Sequence, residues 1–178
     1  MAELKEWSYR DRVVLAPMVR VGTLPFRVLA KKYGADIVYC EETIDRKIAK
    51  CRRVVDSERK TVNFVQESGS TPVFSTYENE PVVFQMGTSD SVNALLGAQV
   101  VANDVRAIDI NMGCPKHFSV QAGMGCSLLT KPDTVADILK TLKRNLNVPI
   151  TIKIRLLPNP QDTIQLVKMA ELCGVSAI

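Results

Sequence analysis

Short runs of β-branched and apolar residues recur along this chain, each followed by a longer amphipathic stretch, and this alternation constrains the fold more than any other feature. The runs are Val13-Val14-Leu15, Asp36-Ile37-Val38-Tyr39, Val82-Val83-Phe84, Ala107-Ile108-Asp109-Ile110 and Ile150-Thr151-Ile152-Lys153-Ile154, and a sixth opens at Val175. Near-continuous apolar strands are buried on both faces, and strands separated by a helix's length of chain pair in parallel. Between the runs, Thr23 can cap a helix carrying Leu24, Val28 and Leu29 and closed by Gly34, and Ser89 or Asp90 can cap one through Val101. Asp133 opens a helix through Leu146, and Asp162 opens one closed by Gly174. One connection breaks the pattern. Between Ile48 and Pro81, the segments Thr61 to Val65 and Pro72 to Thr76, separated by Glu67-Ser68-Gly69-Ser70, read as a β-hairpin inserted between the second and third strands.

The polar residues favour one end of these strands. Pro17-Met18, Glu41-Glu42, Gln85, Asn111 to Cys114 and Lys153-x-Arg155 fall at or just past the carboxyl ends of successive strands. In a (β/α)8 TIM barrel that rim carries the active site, whereas an open doubly wound sheet gathers its ligands at one crossover point. No Gly-x-Gly-x-x-Gly follows the first strand; Ala16-Pro17-Met18-Val19-Arg20 stands there instead. The expected fold is therefore α/β: a TIM barrel truncated to about five βα units plus the start of a sixth strand, with residues 1–178 forming one partial domain.

Composition narrows the functional classes. With 178 residues, 46% hydrophobic and 24% charged, the chain suits one globular domain. Met1 to Glu6 carry charges of both signs and no apolar core of a signal peptide, and the run Val13 to Val19 contains Pro17 and is too short for a bilayer. A soluble, cytoplasmic protein with no membrane partner is expected. The five cysteines are widely spaced without a Cys-x-x-Cys pair, and His117 is the single histidine, so no metal centre is expected and any Cys-His pair would join Cys114 to His117. The net charge is +4, and Arg46, Lys47, Lys50, Arg52, Arg53, Arg59 and Lys60 crowd one connection. Such a cluster reads either as a solvated face or as the footprint of a polyanion.

The chemistry concentrates in Asp109-Ile110-Asn111-Met112-Gly113-Cys114-Pro115-Lys116, where a buried strand runs into a loop closed by Gly123 and Gly125. The loop offers an amide able to bond bidentately to a planar ring, a thiol able to exchange a proton, and an ammonium. A purely geometric turn is the competing reading, but so many reactive groups in one short loop favour function. Lys153 interrupts an apolar strand, where an ammonium must be paired or ligand-bound. Its partner is either Asp109 on the neighbouring strand or an electron-rich planar heterocycle such as a reduced flavin, whose pyrimidine edge Gln85 could bond.

The segments Ala16 to Gly22, Asp36 to Glu42, Phe84-Gln85-Met86-Gly87-Thr88, Asn111 to Lys116 and Lys153-Ile154-Arg155 together resemble the tRNA-dihydrouridine synthases, most nearly the eukaryotic type acting at position twenty of the D-loop. The resemblance covers nearly the whole chain, in order. It implies an FMN-binding TIM barrel that takes electrons from NADPH or NADH and acts on tRNA. It further implies that Pro17, Met18 and Val19 line the flavin and that Gln85 and Lys153 bond its ring. Asn111 would hold the substrate uracil, with Glu42, Lys116 and Arg155 also on the substrate side, and Cys114 would donate the proton. An ordinary thiol, with a pKa of about 8.5, is mostly protonated at neutral pH and needs no activating base for that task. Ala122 and Cys126 depart locally from the family pattern, which has glycine and alanine there.

The family's flavin-phosphate contacts on later strands and its helical tRNA-binding domain have no counterpart in these residues. The chain is therefore expected to be a partial barrel of doubtful activity alone. Two alternatives stand beside the synthase reading: a truncated, non-catalytic piece that binds RNA or a partner, and another FMN barrel oxidoreductase acting on a small molecule.

Overall fold

The computed structural model describes residues 8–67 and 69–178; Met1 to Glu6, on which the expectation of no targeting segment rests, and Ser68 of the insertion lie outside the described residues. The elements run β1 (Val14–Leu15), α1 (Leu24–Lys32), β2 (Ile37–Tyr39), β3 (Thr43–Ile44), α2 (Asp45–Ile48), β4 (Cys51–Asp56), β5 (Thr61–Gln66) and β6 (Phe74–Tyr77). They continue with β7 (Val82–Gly87), α3 (Ser91–Val101), β8 (Ala107–Met112), α4 (His117–Gln121), α5 (Pro132–Asn145), β9 (Ile150–Ile154) and α6 (Pro160–Leu172).

The expected runs form one parallel sheet in the order β1-β2-β7-β8-β9, with β3 pairing in parallel with the end of β7 beyond β2. The sixth run begins as expected, Ala177 bridging in parallel to Thr151 of β9. The sheet curls into a half-barrel whose two faces are both covered. Val38, Phe84, Ile108, Ile110 and Ile152 belong to a large core that also takes in Val135, Ile138 and Leu139 of α5. The alternate residues Ile37, Tyr39, Val83 and Ala107 form a small second core on the concave face, against Tyr9. A period of two along each strand produces this division, and burial on both sides explains why the strands read as unbroken apolar runs.

Helix ends follow the expected chemistry with small shifts. Asp90, not Ser89, caps α3, its Oδ1 accepting from the Asn93 amide at 2.8 Å. Thr23 holds the N-cap position of α1 without a side-chain bond, and Gly34 ends it at φ +98°. The helix α5 opens at Pro132, and α6 opens at Pro160 under Asn159, not at Asp162. Both start where proline fixes φ and lacks the amide that a first turn leaves unpaired.

The insertion is larger than a hairpin. It is a three-stranded antiparallel meander, β4-β5-β6, in which Cys51 to Asp56 pairs residue by residue with Gln66 to Thr61. The first strand escapes sequence reading because Arg52, Arg53 and Val55 are exposed on it, and the basic residues read as a connection. The meander joins the outer layer: Phe74 lies between Phe64 and Phe84, with ring centroids 5.5 Å and 5.0 Å away.

A buried ion pair fastens this insertion to the barrel. Arg27 of α1, 1% exposed, donates from Nε to Glu80 Oε1 at 2.7 Å and from Nη2 to Glu80 Oε2 at 3.0 Å. Its remaining donors reach the carbonyls of Gly22 at 2.7 Å and Ser75 at 2.6 Å, and Thr76 Oγ1 donates to Glu80 Oε2 at 2.7 Å. Fully bonded, such a pair offsets its desolvation; with one partner removed, an uncompensated charge remains inside. Arg27→Met is expected to cost about 3–5 kcal/mol in urea unfolding, with Arg27→Met/Glu80→Gln costing less than the single change. A loss below about 1 kcal/mol for the single variant contradicts this account.

Candidate active site

The loop after β8 is built by one side chain. Asn111 Oδ1 accepts from the backbone amides of Gly113 at 2.9 Å and Cys114 at 3.1 Å, closing a turn that an asparagine forms with its own downstream backbone. The bidentate ring contact expected from the sequence is thereby corrected: Oδ1 is committed to the chain, and only Nδ2 remains to donate. Cys114, half-buried, is clasped from two further sides. Cys126 donates its amide to the Cys114 carbonyl at 2.9 Å, and Arg155 Nε donates to the Gly113 carbonyl from the end of β9. Gly125 is required behind it, because at φ +60° a Cβ there would fall on the Cys114 carbonyl and within 2.6 Å of Ser119 Oγ.

Beneath this loop, the concave face carries polar residues in register. Gln85 lies opposite Asp109, Asp109 opposite Thr151, and Asn111 opposite Lys153. Gln85 Nε2 donates to Asp109 Oδ2 at 2.9 Å, and Thr151 Oγ1 donates to Asp109 Oδ1 at 2.7 Å. Sequence reading made Asp109 the possible salt-bridge partner of Lys153. The structure corrects this: among the described residues no ion pair joins them. Lys153 stands one layer nearer the rim and is exposed, while Asp109 is buried with neutral donors. Burial pushes the Asp109 carboxyl up to about 6, against the pull of the Gln85 and Thr151 bonds and the Lys153 charge.

The other expected residues gather at the same rim. Pro17 is half-buried and Met18 and Val19 are exposed in a turn where the Met18 carbonyl accepts from Val21 and Gly22. Glu41 holds that turn, accepting the Arg20 amide at 2.7 Å. Glu42 turns inward over Gly87, where a Cβ would meet its Oε1 at 2.5 Å. Burial pushes the Glu42 carboxyl up, opposed by a hydrogen bond with Asn111 and the charge of Lys116. Its Oε1 and Ser119 Oγ are the buried side-chain oxygens without a partner among the described residues. Lys116 sits at the start of α4 and His117 is that helix's first residue, both exposed.

The basic cluster divides. Arg53 forms a two-point bond with Asp104 at 2.8 Å and 2.7 Å near the amino end of β8, and Arg59 pairs with Asp56 at 3.1 Å. Lys47 and Lys50 precede β4, at the end of that strand away from Asp56. Arg46, Lys47, Lys50 and Arg52 are exposed, with Arg46 lying 3.9 Å from Asp90. Among the described residues, no helix is long and apolar enough to cross a membrane.

Asp109 makes stability pH-dependent in a stated direction. Its carboxyl rises from 3.8 to about 6 on folding, so its protonated form is favoured in the folded state, and this contribution is present below pH 4 and lost as pH rises through 6. Asp109→Asn removes the titration, and its stability relative to the parent should rise by up to about 3 kcal/mol between pH 4 and pH 8. Urea unfolding at both pH values reads the difference; a pH-independent gap contradicts the burial account.

The family model described as dihydrouridine synthase matches residues 14–178. The chain is 45% identical over 181 residues to the tRNA-dihydrouridine(20) synthase [NAD(P)+] of Saccharomyces cerevisiae, covering 95% of this chain and 47% of that protein. It is 41% identical to the Schizosaccharomyces pombe protein of the same name, covering 96% of this chain and 38% of the relative. A human tRNA-dihydrouridine(20a/20b) synthase-like protein is 31% identical across 93% of this chain and 49% of its own length. The chain thus spans about half, or less, of the relatives it matches.

Proposed function

The chain belongs to the dihydrouridine synthase family, and we propose that it forms part of a cytoplasmic, FMN-dependent enzyme that reduces a D-loop uridine of tRNA, position twenty, to 5,6-dihydrouridine. The observation carrying this reading is the clasped turn Asn111 to Cys114. It presents a thiol at the rim of a concave polar face, held from β8, β9 and the Cys126 amide at once.

The residues present fit a flavin. Gln85 reaches the concave face from β7 and Lys153 from β9, and Gly87 continues the Gln85 side of β7 without a side chain where Glu42 folds over it. Pro17, Met18 and Val19 add an apolar turn at the neighbouring strand end. When bound and reduced by NADPH or NADH, the flavin supplies a hydride for C6 of the uracil.

The chain's own residues carry the rest. Lys153 places a cation on the concave face, where it can balance negative charge on a bound ring. Asn111 Nδ2, one of whose hydrogens serves Glu42, has a second to donate to a uracil carbonyl, since Oδ1 is held by the loop. As charge develops at C5 of the uracil, the Cys114 thiol supplies the proton there, and the clasped backbone keeps that thiol in reach. Glu42, hydrogen-bonded with Asn111, stands on the substrate side and keeps a buried oxygen without a partner among the described residues. The uridine must leave the RNA stack to reach this rim, and Lys116 and Arg155, flanking the loop, offer cations to the backbone around it.

Cys114→Ala tests the assignment. In the full protein carrying these residues, dihydrouridine formed on tRNA, read by mass spectrometry of the nucleosides, should fall by about two to four orders of magnitude. Flavin binding and flavin reduction by NADPH should persist. Near-normal dihydrouridine formation contradicts the role of Cys114.

A further inference from the structure

We infer that Asp109 is a positioning residue that selects which end of the Gln85 amide meets a bound ring, turning the carbonyl outward as an acceptor for an imide N–H. The inference rests on the flavin reading above and adds a residue to it.

A primary amide is nearly symmetric in shape and opposite in chemistry at its two ends, so its neighbours decide which end is offered. Gln85 is 3% exposed, and its Nε2 donates to Asp109 Oδ2 at 2.9 Å. An ionised carboxylate only accepts, so Gln85 must turn its nitrogen toward Asp109. Thr151 Oγ1 occupies the other carboxylate oxygen at 2.7 Å, which prevents the carboxylate from rotating away. Asp109 lies between the other two residues, on the strand between theirs, so backbone pairing on both sides fixes this triad.

Among the described residues, Gln85 Oε1 accepts no hydrogen bond. Nor does it belong to the buried partnerless oxygens, which among the described residues are Glu42 Oε1 and Ser119 Oγ. It therefore opens onto the concave face. A ring that presents an N–H between two carbonyls, as the pyrimidine edge of a flavin does, meets that acceptor with its donor. A ring presenting an acceptor there meets repulsion. Asp109 thus never touches the ligand, yet its ionised state sets the ligand's required chemistry.

The experiment uses FMN labelled with 15N at N3, bound to the full protein at pH 8, with the N3–H resonance as the readout. The parent should show that proton protected from exchange and shifted downfield of free FMN. Thr151→Val retains the carboxylate and should keep the signal. In Asp109→Asn/Thr151→Val the new amide can turn its nitrogen to Gln85 Oε1, so Gln85 flips and the protected resonance should be lost. A structural role alone would weaken binding without moving the resonance in the bound fraction; its persistence in the double variant overturns the inference. Should that variant fail to fold, the parent without ligand decides. The Gln85 side-chain amide resonances should titrate with Asp109, and pH-invariant resonances between pH 4.5 and 8 overturn the inference. A parent that binds no FMN overturns the flavin reading instead, and the ligand-free titration still settles the Asp109–Gln85 arrangement.

Discussion

The site depends on one buried carboxylate with two neutral donors. Asp109 accepts from Gln85 on β7 and Thr151 on β9, so three adjacent strands share a polar layer as well as a backbone ladder. A carboxylate in that position carries a desolvation cost that its two hydrogen bonds only partly offset, which is why its pKa stands raised. Below the layer, Ile37, Tyr39, Val83 and Ala107 make the concave face apolar; above it, Asn111 and Lys153 make it reactive. The layer is the boundary between packing and chemistry.

The rim holds its shape by backbone hydrogen bonds. Asn111 takes two amides, Arg155 takes a carbonyl across the strand gap, and Glu41 takes the Arg20 amide of the first loop, where φ is +65°. Each contact removes a degree of freedom from a group that must face a ligand, which is what preorganisation at a catalytic site requires. On the outer side, the ion pair of Arg27 and Glu80 holds α1 against the insertion, and the Phe64-Phe74-Phe84 stack carries the insertion into the main core.

The parallel strands were legible because burial on both faces leaves unbroken apolar runs, and the reactive loop because its turn is closed by residues two and three positions apart. What sequence reading missed lies at long range. Asp109 finds its partners 24 and 42 positions away, and Arg27 finds Glu80 at a separation of 53, so neither pairing leaves a local pattern. An aspartate inside an apolar strand was a visible signal, but the partner that charge offered it, as one of two alternatives for Lys153, differs from the neutral donors that register gave it. The strand Cys51–Asp56 was hidden for the opposite reason: its basic residues face solvent on an edge strand, where charge is tolerated and helps to prevent sheet extension.

The most direct measurement is a crystal structure of the full protein with FMN bound. The account predicts the flavin on the concave face above Asp109, its pyrimidine edge within hydrogen-bond distance of Gln85 Oε1 and its ring near Lys153 Nζ, with Cys114 across the open side. A flavin seated elsewhere, or a Gln85 that turns its nitrogen to the ring while Asp109 stays ionised, would contradict it.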